Sequence, residues 1–144
     1  MSKKVVAFMV ISLFIVLGFG GTDNLCAQWL YASVHVPGYS GTDSESFTSS
    51  SPYTYYWAHY GEYKINYSGN ASGLSRLTVS NGALYNQLDL EDMDDETGDF
   101  SYSASGNVTL QPNTNYTITL YVYTYHGNMK YGYFHDNHGT ISNH

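Results

Sequence analysis

The sequence predicts an all-β fold, a single two-sheet antiparallel β-sandwich of about nine strands. Three observations carry that expectation. Helical periodicity is absent beyond residue 27, and strand-length runs instead alternate apolar and polar residues in period two. Clusters of Gly, Asn, Ser and Pro separate those runs. Residues 28–144 also amount to one domain, enough for one two-layer core, and all 16 tyrosines of the chain, good strand formers, lie within them.

The amino terminus reads as an export signal. Lys3 and Lys4 form a positive start, and residues 5–19 are an apolar stretch of 15 broken only by Ser12, too short to span a bilayer comfortably. Small and polar residues follow, then Leu25-Cys26-Ala27-Gln28, which offers cleavage after Ala27. Residues 1–27 are therefore expected to be removed, leaving a secreted or cell-surface protein, and the short Lys-led signal points to a bacterium. Cys26 does not make a lipoprotein signal, because Asp23 and Leu25 stand where Leu and a small residue are needed. The only cysteine leaves with the signal, so stability has to come from the core rather than from a disulfide.

Residues 30–36 form the first strand, with Leu30, Ala32, Val34 and Val36 on one side and Tyr31, Ser33 and His35 on the other, closed by Pro37-Gly38. Residues 38–52 are short, polar and low in complexity, which predicts a loop or tether. Residues 53–60 and 62–67 are the next strands; in the second, Tyr63, Ile65 and Tyr67 share a face. Residues 76–80 and 83–89 flank Asn81-Gly82, the dipeptide that most favours a two-residue hairpin, since both turn positions want positive φ. Runs at 100–103, 107–110, 116–125 and 129–134 complete the set, with the sandwich proper spanning 53–134 and residues 135–144 forming a His- and Asn-rich tail. No internal repeat or second domain is visible.

The segment Leu110-Gln111-Pro112-Asn113-Thr114-Asn115-Tyr116, followed by Ile118 and Leu120, resembles the entry to the sixth strand of fibronectin type III domains, an immunoglobulin-like β-sandwich. Gly61-Glu62-Tyr63-Lys64-Ile65-Asn66-Tyr67 is similar to the third strand of that family. Bacterial carbohydrate-binding modules of jelly-roll form use a similar Leu-x-Pro-Gly-x-x-Tyr corner, so the motif implies a sandwich of either kind. It also implies that the Tyr116 hydroxyl bonds back to the backbone at the corner between sheets. It carries no function by itself.

Charge and motifs narrow the function. After cleavage, Lys64, Arg76 and Lys130 face eleven carboxylates, a formal charge of about −8, which makes nucleic acid and anionic membranes poor partners. No Gly-x-Ser-x-Gly or comparable nucleophile signature occurs, and no catalytic residue is assigned, so the chain reads as non-enzymatic. Seven carboxylates crowd the segment 89–99, namely Asp89, Glu91, Asp92, Asp94, Asp95, Glu96 and Asp99. Such a loop is either a solvated, self-repelling turn or a Ca²⁺ site, since hard cations take six to eight oxygens. His135-x-x-His138, with His126 and His144, could bind a transition metal if a turn brought the rings together, although an exposed tail is the simpler reading. Asn66, Asn70, Asn107 and Asn115 each begin an N-glycosylation pattern, relevant only in a eukaryotic secretory pathway.

Tyrosine is the compositional signal for function. Residues 116–125 place Ile118, Leu120 and Val122 on one side and Tyr121, Tyr123 and Tyr125 on the other. If Gly127-Asn128 is a two-residue turn, Tyr121 stands beside Phe134 and Tyr123 over Gly132, giving an aromatic strip on an outer face. Tyr63, Tyr67 and Tyr116 are expected to be structural. Two uses of the strip are open. The favoured one is a self-associating structural subunit of an extracellular fibre or surface assembly, in which Leu30, Ala32, Val34 and Val36 are lent to a neighbouring copy as a donor strand. The alternative is a glycan-binding or adhesive module, whose rings stack on the sugars of a cell-surface or polymeric glycan.

Overall fold

The structure is a computed structural model and describes residues 31–50, 54–125 and 130–143. Residues 1–30, which include the expected export signal and Leu30, and His126 and His144 lie outside those residues. Eight strands follow in order: β1 (Tyr31–Pro37), β2 (Ser40–Thr48), β3 (Thr54–Ile65), β4 (Gly73–Val79), β5 (Leu84–Asp89), β6 (Gly98–Thr109), β7 (Asn115–Thr124) and β8 (Gly132–Ser142). One sheet has the order β1-β8-β3-β6 and the other β2-β7-β4-β5, with every pairing antiparallel. Only β4 and β5 are consecutive strands of one sheet; every other connection crosses to the opposite one. Two four-stranded sheets wrapped in this way are a jelly roll, the second of the two sandwich architectures left open by the sequence.

The core lies between the sheets. Ile118, Leu120 and Val122 of β7 face Phe134 and Ile141 of β8, and Val34, Tyr55, Ile65 and Leu77 fill the same layer. The Asn81-Gly82 hairpin forms as the sequence expects: both residues have positive φ, 60° and 69°, and the Ala83 N–H closes the turn on the Ser80 carbonyl. The Tyr116 hydroxyl accepts the Gln111 N–H at 3.1 Å, which is the corner that the Leu110-to-Tyr116 motif implies. A second corner matches it, since the Tyr55 hydroxyl accepts from Ser50 N–H and donates to the Ser50 carbonyl. Ser49 ties the two together through backbone bonds with Asn113 and Thr114 and hydroxyl bonds to the Gln111 and Thr114 carbonyls.

Several boundaries differ from the sequence reading, each for a physical reason. Residues 40–48, expected as a tether, are β2, an edge strand that buries only Phe47 and so has no apolar alternation to read. Residues 135–142, expected as a tail, are most of β8, which is central in its sheet. Its inward positions are Asn137, Gly139 and Ile141, so polarity hid the period. Gly139 is needed there because any Cβ would run into the Leu77 side chain. The runs expected at 53–60 and 62–67 fall on one strand, Thr54–Ile65, continuing through Gly61, with Tyr53 outside the described residues, and those at 100–103 and 107–110 fall on one strand, Gly98–Thr109. Strands β7 and β8 belong to different sheets, so they form no hairpin and the proposed register beside Phe134 does not exist.

The donor-strand expectation also meets a fold that uses the strand at home. Ala32, Val34 and Val36 are buried in the chain's own core, and β1 pairs with β8 from Tyr31↔Ser142 to Pro37↔Asp136. Two N–H groups on the other edge of β1 are bonded as well. Ser33 N–H donates to Glu45 Oε2 at 2.6 Å and His35 N–H to Asp43 Oδ2 at 2.9 Å. Carboxylates placed along an edge in this way block the addition of another strand.

Candidate functional site

The outward face of the β2-β7-β4-β5 sheet carries Tyr121 and Tyr123. Antiparallel register sets the rows: Thr42, Tyr121, Arg76 and Gln87 lie side by side on β2, β7, β4 and β5, and Ser40, Tyr123, Leu74 and Asp89 form the next row. Tyr85 sits one row the other way, across from Thr78, and is 64% exposed. The Arg76 guanidinium carbon lies 5.4 Å from the centre of the Tyr121 ring and 5.9 Å from that of Tyr85, so one cation is flanked by two rings. Along β5 the polar groups are chained together. The Tyr85 hydroxyl donates to Gln87 Oε1 at 2.6 Å, and Gln87 Nε2 donates to both Asp89 oxygens at 3.0 Å. Held side chains lose less freedom when they bind.

Tyr121 and Tyr123 are thus where the sequence places them, half-buried on an outer face, and Tyr125 is exposed just beyond the end of β7. Phe134 is a correction: it is fully buried on the inner face of β8, because that strand lies in the opposite sheet. Tyr67 is a second correction, exposed beyond the end of β3 instead of structural, while Tyr63 and Tyr116 are in the core. Arg76, Tyr85 and Gln87 were missed. For Tyr85 and Gln87 the signal was present in the alternation of 84–89, whose outward positions are Tyr85, Gln87 and Asp89, whereas Arg76 joins them through the pairing of β4.

The acids of the segment 89–99 are spread over separate partners. Asp94 turns inward, its Oδ2 accepting the buried Ala71 N–H at 2.9 Å and its carbonyl accepting Gly69 N–H. Glu91 accepts the Ser72 hydroxyl, Asp89 is engaged by Gln87, and Asp99 lies 3.7 Å from the Lys64 ammonium. Asp92, Asp95 and Glu96 are exposed. Among the described residues no three of these carboxylates converge. Asp89, Glu91, Asp94 and Asp99 are thus each engaged by a neighbouring group.

A different cluster does converge, on the outward face of the other sheet. His35 and His138 are cross-strand partners on β1 and β8, with rings stacked at 4.1 Å and 5° from parallel. Asp136 lies between their tips: Oδ1 is 2.6 Å from His35 Nε2 and Oδ2 is 3.1 Å from His138 Nε2. Burial alone would raise the Asp136 carboxyl, but the bonds and charges of the two imidazoles outweigh it and hold the group below the ordinary carboxylate range. Asp136 and His138, two residues apart on β8, share a side with His35 through the β1-β8 register. Opposite Glu62 and Tyr63 of β3 a β-bulge slips the register by one residue, so His135 and Asp136 both face outward while Phe134 stays inside. Next to Asp136 across the ladder, Glu62 accepts the Tyr60 hydroxyl at 2.7 Å and lies 3.6 Å from His135 Nδ1. That bond raises the Tyr60 hydroxyl above its usual range.

No protein-family model matches the sequence, and no curated protein does. Among solved structures, the Cry4Aa mosquito-larvicidal toxin from Bacillus thuringiensis aligns over 78% of this chain, with 14% identity and a TM-score of 0.43. The chain spans 21% of that toxin's length. The CBM36-1 domain of a multidomain xylanase from the hindgut metagenome of Trinervitermes trinervoides aligns over 88% of this chain and 89% of its own, with 17% identity and a TM-score of 0.41. The C-terminal CBM6 of LamC, a marine laminarinase from Zobellia galactanivorans, aligns over 79% of this chain and 100% of its own, with 13% identity and a TM-score of 0.38.

Proposed function

We propose that this chain is an exported glycan-binding domain whose outward β2-β7-β4-β5 face takes a neutral polysaccharide. The observation that carries the reading is the mixture of ring surface and fixed polar groups on that face. Tyr121 and Tyr85 flank Arg76, with Tyr123, Gln87 and Asp89 in the adjoining positions. A pyranose offers C–H faces, which stack on aromatic rings, and a rim of hydroxyls, which need donors and acceptors in a plane. This sheet supplies both. Two inter-strand spacings, about 10 Å, separate β7 from β5, roughly one disaccharide of an extended chain. The formal charge of −7 favours an uncharged glycan over a polyanionic one.

Assembly by strand exchange, the favoured reading of the sequence, needs β1 free, and β1 is committed to β8 on one side and to Asp43 and Glu45 on the other. The glycan alternative needs only the sheet face as it stands. The test is retention of the purified chain on a panel of insoluble neutral polysaccharides. Tyr85→Ala and Tyr121→Ala should each weaken retention about threefold to tenfold, the range expected for one aromatic contact. The melting temperature should change little, because neither residue is in the core. A chain that no neutral polysaccharide retains, or a double variant that binds as well as the wild type, would overturn the reading.

A further inference from the structure

We propose that His35, Asp136 and His138 form a binding site for a borderline divalent transition cation, Zn²⁺ above all, on the outward face of the β1-β8-β3-β6 sheet. The site stands independently of the glycan-binding face on the other sheet. Its basis is the convergence of two imidazoles and one carboxylate, each offering a ligand atom within 4.8 Å of the other two. Zn²⁺ takes such mixed nitrogen and oxygen sets at about 2.0–2.2 Å, which puts the ligand atoms of a tetrahedral site about 3.3 Å apart. The Asp136 oxygens already lie 2.6 and 3.1 Å from the two Nε2 atoms. A hard cation such as Ca²⁺ or Mg²⁺ would need six or more oxygens, and this cluster leads with nitrogen.

Backbone geometry fixes two of the ligands before any ion arrives. Asp43 holds the His35 N–H at the edge of β1, and Asp136 and His138, two residues apart on β8, share its outward side through the alternation of the strand. What has to move is small. The stacked rings present their Nε2 atoms side by side, each donating its N–H to Asp136, so binding requires the two half-exposed imidazoles to tilt toward a common point and to leave Nε2 deprotonated. Asp136 now bridges the tips that the cation would bridge. Three protein ligands leave a fourth position open to solvent, the form of a site that holds water or an exchangeable ligand. Glu62, beside Asp136 and fixed by the Tyr60 hydroxyl, is placed to accept a hydrogen bond from a water in that position.

Calorimetric titration of the purified chain with Zn²⁺ tests the site, with Co²⁺ absorption as a second readout of coordination geometry. One ion per chain should bind, with the visible bands of a low-symmetry, four- or five-coordinate Co²⁺ complex. His138→Ala and Asp136→Ala should each weaken binding about tenfold or more. His135→Gln, on the same strand but directed to Glu62, should leave affinity within about twofold. Melting curves in chelator establish that the variants are folded, which is expected because all three ligands lie on the surface. Absence of Zn²⁺ binding by the wild type, or binding retained in the His35→Ala/His138→Ala double variant, would overturn the proposal.

Discussion

Three histidines of the described residues lie within the same two strand pairs yet carry different chemistry, and burial is the reason. His35 and His138 are half in water, whereas His59 is wholly inside the sandwich, its Nδ1 2.6 Å from Asn86 Oδ1 and its Nε2 2.9 Å from the Ser75 hydroxyl. An amide oxygen only accepts, so Nδ1 carries the proton and Nε2 accepts from Ser75: the ring is neutral and fully bonded. Burial holds its pKa below the usual 6.5, with the Asn86 bond acting weakly the other way. The consequence for stability has a definite sign. Above pH 6.5 neither state protonates His59. Below it the unfolded chain takes up a proton that the native state refuses, and stability falls until the native pKa is reached. The loss should not exceed one proton's worth, about 1.4 kcal/mol per pH unit. Urea unfolding between pH 7 and pH 5 should therefore show a steeper loss for wild type than for His59→Gln, which keeps polar atoms and cannot titrate. Parallel pH profiles would show that His59 is not the source.

At the scale of elements, legibility followed apolar content. Strands β4, β5 and β7 were readable because Leu77, Val79, Leu88, Ile118, Leu120 and Val122 alternate with polar residues, and the Asn81-Gly82 turn and the Tyr116 corner were readable because each has one chemical solution. Strands β2 and β8 were not. Strand β2 presents Ser, Thr, Asp and Glu, and β8 buries Asn137 and Gly139, so neither carries the signal on which a period is counted. The tyrosine face was half legible for the same reason: the outward alternation of β7 was plain, but Arg76 and Tyr85 came beside Tyr121 only through pairing across β4. Of the metal-ligating cluster only His138 was legible, in the His135-x-x-His138 spacing, since His35 joins it from a hundred positions away through the pairing of the first strand with the last. Strand β2 also makes a prediction. If Asp43 and Glu45 close the edge of β1, the Asp43→Ala/Glu45→Ala variant leaves two strand N–H groups open. It should lose about 1–2 kcal/mol in chemical unfolding, since these charge-assisted bonds are partly exposed, and should self-associate on size-exclusion chromatography at high concentration. An unchanged monomer of unchanged stability would mean that the carboxylates are incidental to the edge.

For the whole molecule, the jelly roll places its two candidate sites back to back. The tyrosine face and the histidine cluster look outward from opposite sheets, which pack about 10 Å apart. Between them lies a layer of fully buried side chains, Leu77, Ile118 and Leu120 from one sheet against Val34, Phe134 and Ile141 from the other. Such a layer is close-packed and does not deform by small continuous amounts. Coupling across it would need an element with two discrete arrangements that both ligands favour unequally, and strands locked in register on both sides provide none. The sites should therefore act independently. Glycan affinity measured with saturating Zn²⁺ and with chelator should agree within about twofold, and Zn²⁺ affinity should be as indifferent to Tyr121→Ala. The two ligands should still raise the melting temperature together, because each binds only the native fold and their stabilisations add. A tenfold change in either affinity on occupying the other site would mean that the sheets shift against one another as a unit, and the sandwich would then be a transmitting device instead of a rigid support.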